Sequence, residues 1–130
     1  MSYYFSTTLK NQTLLEAREK VVDELKKEGF GIISEIDISE TLKQKIDVDF
    51  KKYIILGACN PKFAHDALKQ EDKIGLFLPC NLVIAENPDL SIEVSAIDPI
   101  VLMKSVENEA LESFAICVRK SISNVIENLG

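Results

Sequence analysis

The stretch that decides the fold is YIILGACNPKFAHDAL, residues 53–68. Its first part, Tyr53 to Ala58, is apolar without alternation, which predicts a central β-strand covered on both faces. Asn60 and Pro61 then mark a helix start, because asparagine caps free backbone N–H groups and proline fits the first helical position. The stretch therefore predicts a buried strand that turns directly into a helix.

Upstream of this stretch, the sequence predicts a strand, a helix and a second strand. Tyr3 to Thr8 is aromatic and threonine-rich, which favours a strand. Thr13 and Glu16 form the capping box of a helix whose apolar residues recur at helical spacing. Gly31 to Ile38 is rich in isoleucine and is predicted to be the second strand. The polar segment from Ser39 to Ile46 is compatible with a short helix or a loop.

Downstream, the sequence predicts a hairpin and a long final helix. Asn81 to Glu86 and Leu90 to Ile97 are predicted strands around the turn Asn87-Pro88-Asp89. Apolar and polar residues alternate in the second arm of this hairpin, which indicates one solvated face. The final helix is predicted from about Asn108 to Asn128, with an apolar stripe along one side.

The composition is that of one soluble domain, residues 1–130, with 46% apolar and 28% charged residues. A chain of this length can bury a core without disulfides or metals. Two long amphipathic helices and about five strands in this order predict an α+β fold, a two-layer sandwich. We expect the helices to cover one face of a mainly antiparallel sheet. The other face is a candidate dimer surface or a wall of a ligand pocket.

The charge balance narrows the classes of partner. Asp and Glu number 21 against 15 Lys and Arg, and the net charge of −6 argues against nucleic acid and anionic membranes. Met1 to Leu9 has no signal-peptide pattern, and no apolar run is long enough to cross a bilayer, so we expect a cytoplasmic protein. The three cysteines are expected to be free thiols in a reducing cytosol.

Two Cys-Asn motifs carry the most distinctive chemistry, Gly57-Ala58-Cys59-Asn60-Pro61 and Leu78-Pro79-Cys80-Asn81. Cys59 directly precedes the helix cap, where free N–H groups can lower the pKa of a thiol and favour the thiolate. Cys80 follows a proline at the start of another strand, and neighbouring strands would bring the two thiols together. The structural alternative is that both cysteines fill space, since free cysteine is among the most buried residue types.

The sequence gives less support for a functional role of the remaining cysteine, the single histidine and the acidic pairs. Cys117 lies about 120° around the final helix from the centre of its stripe, so we expect no function there. His65 is predicted to face solvent, and its spacing from Cys59 is not a usual zinc-ligand spacing, so we expect no metal site and no cofactor. Four acidic residues in i, i+2 pairs are predicted to share strand faces and are typical of a solvated surface rather than a calcium or acid–base site: Glu35, Asp37, Asp47 and Asp49.

The runs Ile55–Pro61 and Gly75–Asn81, with Ala64, Ala67 and Leu68 between them, resemble the bacterial and archaeal domain-of-unknown-function family 302. The resemblance spans nearly the whole chain. It implies a sandwich similar to the TATA-binding-protein-like folds, in the order strand–helix–four strands–helix, and a homodimer. It implies no settled activity. The family's signature residues carry over, without assigned roles, to Gly57, Cys59, Asn60, Pro61, Leu78, Pro79, Cys80 and Asn81.

The leading hypothesis is an uncharacterised homodimer with a ligand or thiol site at the corner of Cys59 and Cys80. If catalysis occurs, Cys59 would be the reactive thiolate, Cys80 the resolving group or second ligand group, and Asn60 and Asn81 the polar positioners. One alternative is a pocket between sheet and helices for a small apolar or anionic ligand, without thiol chemistry. The other is a structural module whose motifs only fix the strand–helix corner. The sequence leaves open whether the protein is an enzyme.

Overall fold

A computed structural model of the protein describes residues 2–130; Met1, which the sequence analysis placed in the single domain, lies outside the described residues. The strands are β1 (Tyr4–Leu9), β2 (Gly31–Asp37), β3 (Tyr53–Cys59), β4 (Cys80–Glu86) and β5 (Ile92–Ile97). The helices are α1 (Leu14–Lys27), α2 (Ile38–Ile46), α3 (Pro61–Gln70), α4 (Pro99–Met103) and α5 (Glu112–Leu129). Short 3-10 helices span Asp72–Phe77 and Glu109–Leu111.

The five strands form one antiparallel sheet in the order β1-β5-β4-β3-β2, so β4 is the central strand and β1 and β2 are the edges. The two long helices, α1 and α5, pack against each other and against the sheet. The predicted α+β class and the order strand–helix–four strands–helix are confirmed. Three shorter helices, α2, α3 and α4, are added to that order. None of the helices in residues 2–130 is long and apolar enough to span a membrane.

The main core lies between the sheet and helices α1 and α5. Leu56 and Leu82 of the sheet and Leu25 and Ile122 of the helices have no exposed surface. Full burial of such a side chain stabilises the fold by about 1.5–3 kcal/mol. This layer therefore supplies most of the hydrophobic stabilisation.

Each of the helices described next begins at a residue whose side chain accepts a hydrogen bond from a free backbone N–H group. At α1, the Thr13 hydroxyl accepts a hydrogen bond from the Glu16 N–H, and the Glu16 carboxylate accepts one from the Thr13 N–H. At α2, the Asp37 carboxylate accepts from the Glu40 N–H, so the segment that the sequence left open is a helix. The final helix starts as predicted after Asn108, with a 3-10 turn before α5.

The prediction that the β3 stretch is covered on both faces is wrong. Burial alternates along β3, and Tyr53 and Ile55 are only half-buried on the face away from the helices. Gly57 is the exception on that face, because Ser34 and Pro79 lie directly against it. The sheet therefore has one covered face and one largely open face.

Two smaller expectations are also wrong. Leu90 has a positive φ of 72° and belongs to the turn, and 68% of its surface is exposed. The second arm of the hairpin therefore begins at Ile92. Asp47 and Asp49 share no strand face, since both lie in the loop after α2, where each forms an ion pair with Lys43.

Candidate functional site

The two Cys-Asn motifs meet at one end of the sheet because β3 and β4 are antiparallel neighbours. Ala58 is the register partner of Cys80, and Gly57 is the partner of Asn81. Cys59 follows Ala58, so it lies one residue along β3 from the partner of Cys80. The fold thereby brings the two cysteines to the same corner.

A small apolar cavity of about 50 Å³ lies beside this corner, between the end of the sheet, α3, α4 and the start of α5. A cavity needs only about 10–15 Å³ on this measure to hold a water molecule, so the space is large enough for a group of a few heavy atoms. Asn60 is the one side-chain amide in the lining. The other lining residues include Cys59, Cys80, Phe63, Ala67, Met103 and Phe114.

Helix α3 forms the cavity because it presents small residues towards the corner. The Asn60 side-chain oxygen accepts a hydrogen bond from the Phe63 N–H at 3.3 Å, which fixes the start of the helix. Ala64 and Ala67 follow on the face that lines the cavity. Leu68, predicted to share this face, is half-exposed and is not part of the lining. Two alanines opposite the cysteines therefore leave the space open.

Gly57 has a packing role at this corner. A Cβ atom added there would lie 2.5 Å from Pro79 Cγ and closer still to Ser34 Oγ. Only a residue without a side chain permits Pro79 and Ser34 to lie across the open face of β3 at this point. Gly57 thus fixes how the segment before β4 approaches β3.

The eight signature residues divide into two groups. Four of them line the cavity: Cys59, Asn60, Leu78 and Cys80. The other four do not line it, since Gly57 and Pro79 pack against each other, Pro61 begins α3, and Asn81 is exposed on the open face. Asn81 is therefore not placed to position a cavity ligand.

Burial governs the acidity of both thiols. It raises the pKa of Cys59, which is half-buried at the end of β3. Burial, with a smaller contribution from the charge of Cys59, raises the pKa of Cys80 to about 11. The predicted lowering of the Cys59 pKa is wrong, because burial at the end of β3 disfavours the charged thiolate and raises the pKa instead. Both thiols are protonated at neutral pH.

The other sequence candidates lie away from this corner or serve the fold. His65 is exposed on α3, and Cys117 is exposed on α5. Glu35 forms a bidentate ion pair with Arg18, with 2.6 Å between Nη2 and Oε1, and Asp37 caps α2. Within residues 2–130, no three His, Cys, Asp or Glu side chains form a group that could hold a metal ion.

The far wall of the cavity was missed by sequence reasoning. It comes from Pro99 and Met103 of α4 and from Phe114 of α5. Phe114 belonged to the predicted stripe, but periodicity gives the face of a helix and not how densely that face packs. A signal for α4 was present, because the Asp98 side chain caps it and Pro99 starts it, as Asn60 and Pro61 start α3.

Comparison with known proteins identifies the family. A family model described as "Domain of unknown function DUF302" matches residues 5–129. The chain belongs to this family. It is also similar to the crystal structure of an uncharacterised conserved DUF302 protein from Bacillus stearothermophilus, with 25% identity, complete coverage of both chains and a TM-score of 0.91.

No curated protein matches the chain. The family and the solved structure therefore confirm the DUF302 fold over the whole chain. They assign no activity.

Proposed function

We propose that the protein binds a small apolar ligand in the cavity beside Cys59 and Cys80. The observation that carries this proposal is a cavity of about 50 Å³ with an almost entirely apolar lining. Protein interiors are close-packed and leave few voids larger than a water molecule. Apolar cavities stay free of water and take up apolar molecules instead.

The size of the cavity limits the ligand. A cavity of about 150 Å³ admits benzene, and the 50 Å³ here is about a third of that volume. A xenon atom, a short alkyl end or a thioether group fits this space better than an aromatic ring. The Asn60 side-chain oxygen accepts a hydrogen bond from the Phe63 N–H, so it is already occupied and an apolar ligand suits the site better than a polar one.

Thiol chemistry is the second candidate function. It is favoured by the observation that Cys59 and Cys80 are both free cysteines and lie close enough for Cys59 to raise the pKa of Cys80. The raised pKa values oppose it, because the thiolate is the nucleophile. Ligand binding with protonated cysteines in the wall is therefore the better-supported function.

The proposal is tested by methyl NMR of the full-length chain with xenon and then benzene. We expect xenon to shift the methyl signals of Ala67 and Met103 at the cavity and to leave that of Ile122 in the main core unchanged. Ala64→Leu fills the cavity and should abolish the shifts, whereas His65→Ala on the exposed side of α3 should retain them. Absence of xenon-dependent shifts at the cavity in the unaltered protein would contradict the proposal.

The two candidate functions are separated by the cysteine variants. Cys59→Ser and Cys80→Ser keep the size of the side chains and remove the thiols. Apolar ligand binding predicts that each variant still binds xenon with an affinity within a few-fold of that of the unaltered protein. A thiol function predicts instead that the unaltered protein forms a covalent adduct with a thiol-reactive ligand at Cys59 and that Cys59→Ser does not.

We also propose a homodimer through the open face of the sheet. The row Ile36, Ile55, Val83 and Ser95 crosses four neighbouring strands in register and carries no charge. A two-fold interface has to be complementary to itself. Two chains that each carry a net charge of −6 can meet along this row without like-charge contacts.

Sedimentation velocity tests the dimer. The unaltered chain is expected to sediment as a dimer, and Ile36→Lys to shift it to a monomer, because 46% of the Ile36 surface is exposed on this face. Leu15→Lys, at an exposed position on α1, is the matched control and should leave the dimer intact. A monomeric unaltered chain, or a dimer that survives Ile36→Lys, would refute this interface.

A further inference from the structure

Side-chain size changes steadily across the open face of the sheet. One row of register partners crosses all five strands from β2 to β1, in the order Ile36, Ile55, Val83, Ser95 and Ser6. Its side chains are large at the β2 end and small at the β1 end, and the intermediate Val83 lies on the central strand β4. Two copies of such a row fit together best when the large end of one meets the small end of the other.

The neighbouring row shows the opposite gradient. At its β1 end, Tyr4 is the partner of Ile97 of β5, and at its β2 end, Ser34 is the partner of Gly57 of β3. Asn81 of β4 lies between these pairs, because it is the partner of Gly57. The large side chains of this row are therefore at the β1 end and the small ones at the β2 end, with β4 again in the middle.

We propose that a second copy of the chain packs on the open face about a two-fold axis that runs along β4. Such an axis exchanges the two sides of each row, so Ile55 meets Ser95 of the second copy and Tyr4 meets its Ser34. Packed sheets lie about 10 Å apart with nearly aligned strands, as an axis parallel to the strands requires. The inference rests on the proposed homodimer, whose geometry it specifies.

The charged residues of the open face favour the same axis. Glu93 lies two strands from Tyr53 in one row, and Lys51 is on the same side as Tyr53, with its Nζ 6.0 Å from the centre of the tyrosine ring. Neither Lys51 nor Glu93 forms an ion pair with another part of residues 2–130. The β4 axis brings Lys51 of each copy to Glu93 of the other, so symmetry forms the ion pair twice. An axis across the strands would place Glu93 against Ile97 instead.

The β4 axis also gives a role to Asn81, the signature residue that is exposed on the open face. A side chain on a two-fold axis meets its own copy, and an amide group both donates and accepts hydrogen bonds. The two Asn81 side chains can therefore form a reciprocal pair of N–H···O hydrogen bonds. A single buried asparagine pair of this kind fixes the register of an interface, as it does in coiled coils.

Sedimentation velocity of charge-exchange variants of the full-length chain tests the axis. Lys51→Glu and Glu93→Lys each place like charges together twice, and each should raise the dissociation constant of the dimer by at least about tenfold. A mixture of the two variants should form a heterodimer in which both ion pairs are restored. The double variant K51E/E93K should restore the homodimer.

Two control variants remove the effect of net charge. Lys20→Glu and Glu19→Lys make the same charge changes at exposed positions of α1, away from the open face, and should leave the dimer intact. Asn81→Asp places two carboxylates against each other on the axis and should weaken the dimer. Its melting temperature, measured at a concentration where the chain is monomeric, should stay that of the unaltered chain.

The outcomes distinguish the axis from the homodimer itself. An unaltered chain that stays monomeric would overturn both. If Ile36→Lys gives a monomer but Lys51→Glu and Glu93→Lys remain dimers, the open face is an interface and the β4 axis is overturned. The axis is also overturned if the mixture of the two charge variants stays monomeric, because only reciprocal pairing of these two positions predicts the recovery.

Discussion

The larger hydrophobic cluster, between the sheet and helices α1 and α5, differs from the smaller one around α3 and the start of α5. Leu25, Leu56 and Ile122 of the larger cluster have no exposed surface. In the smaller cluster, Met103 and Phe114 are half-buried and border the cavity. The difference teaches that the first cluster is closed and fully packed, whereas the second borders a cavity that its own side chains leave unfilled.

The largest expected effect compares truncations in the two clusters. Leu56→Ala removes a fully buried side chain and should lower the free energy of unfolding by about 2–5 kcal/mol. Met103→Ala should lower the free energy of unfolding by about half as much, because the Met103 side chain is partly exposed and already borders the cavity. Urea unfolding of both variants measures the difference. Equal losses would mean that the two clusters are packed alike.

Alkaline pH should lower the stability of the fold through Cys80, which is buried at the start of β4 beside the cavity. Its pKa in the folded state is about 11, above the ordinary value of 9.0, so the folded chain holds this proton more tightly than the unfolded chain does. The resulting stability is complete below about pH 9 and is lost as pH rises through about 11. Two pKa units correspond to about 3 kcal/mol.

Urea unfolding between pH 8 and pH 11 measures this loss. The unaltered chain should lose more stability over this range than Cys80→Ala, which lacks the group. Cys117→Ala, at an exposed position, is the control and should follow the unaltered chain. Parallel curves for Cys80→Ala and the unaltered chain would show that the Cys80 thiol is not buried in solution.

A smaller effect is expected at the packing contact that holds the corner together. Gly57→Ala places a Cβ against Pro79 and Ser34 and should cost about 1–3 kcal/mol, as overpacking does. Gly75→Ala is the matched control, because an added Cβ there meets no atom within 4 Å. Thermal melting compares the two variants, and a neutral Gly57→Ala would exclude this contact as a determinant of the corner.

The smallest expected effect concerns the helix start beside the cavity. Asn60→Ala removes the side-chain acceptor for the Phe63 N–H and should cost about 1 kcal/mol. Asn60→Asp retains an acceptor and should restore most of the stability. If Asn60→Ala melted at the temperature of the unaltered chain, the cap would not be what positions α3.

The sequence was sufficient to predict the helices and strands, and to predict that Cys59 and Cys80 lie near each other. Both predictions depend on local sequence signals. The capping residues Thr13 and Asn60 mark helix starts, and the alternation from Ile92 onwards marks a one-sided strand, so the α+β layers follow. The two Cys-Asn motifs predicted that Cys59 and Cys80 would lie close together if their strands were neighbours, and the pairing of β3 with β4 confirms this. The sequence was not sufficient for the cavity, because its far wall at Met103 depends on how α4 packs in three dimensions.

The pKa of the Cys59 thiol also could not be predicted from local sequence alone. Next to a helix start, local sequence predicts a lowered pKa for Cys59, but burial in the sheet raises it. Burial is a tertiary property that no motif spacing reports. The open face of β3 is a similar case, since its apolar run predicted cover on both sides and only Gly57 is buried on that face.

The most direct test of the central claim is X-ray diffraction from a crystal of the full-length protein pressurised with xenon. The account predicts a xenon atom in the cavity between Phe63, Ala67 and Cys80, and none in the main core around Leu56. A cavity that stays empty under xenon, or one that the surrounding side chains have closed, would contradict the claim that this corner is a ligand site.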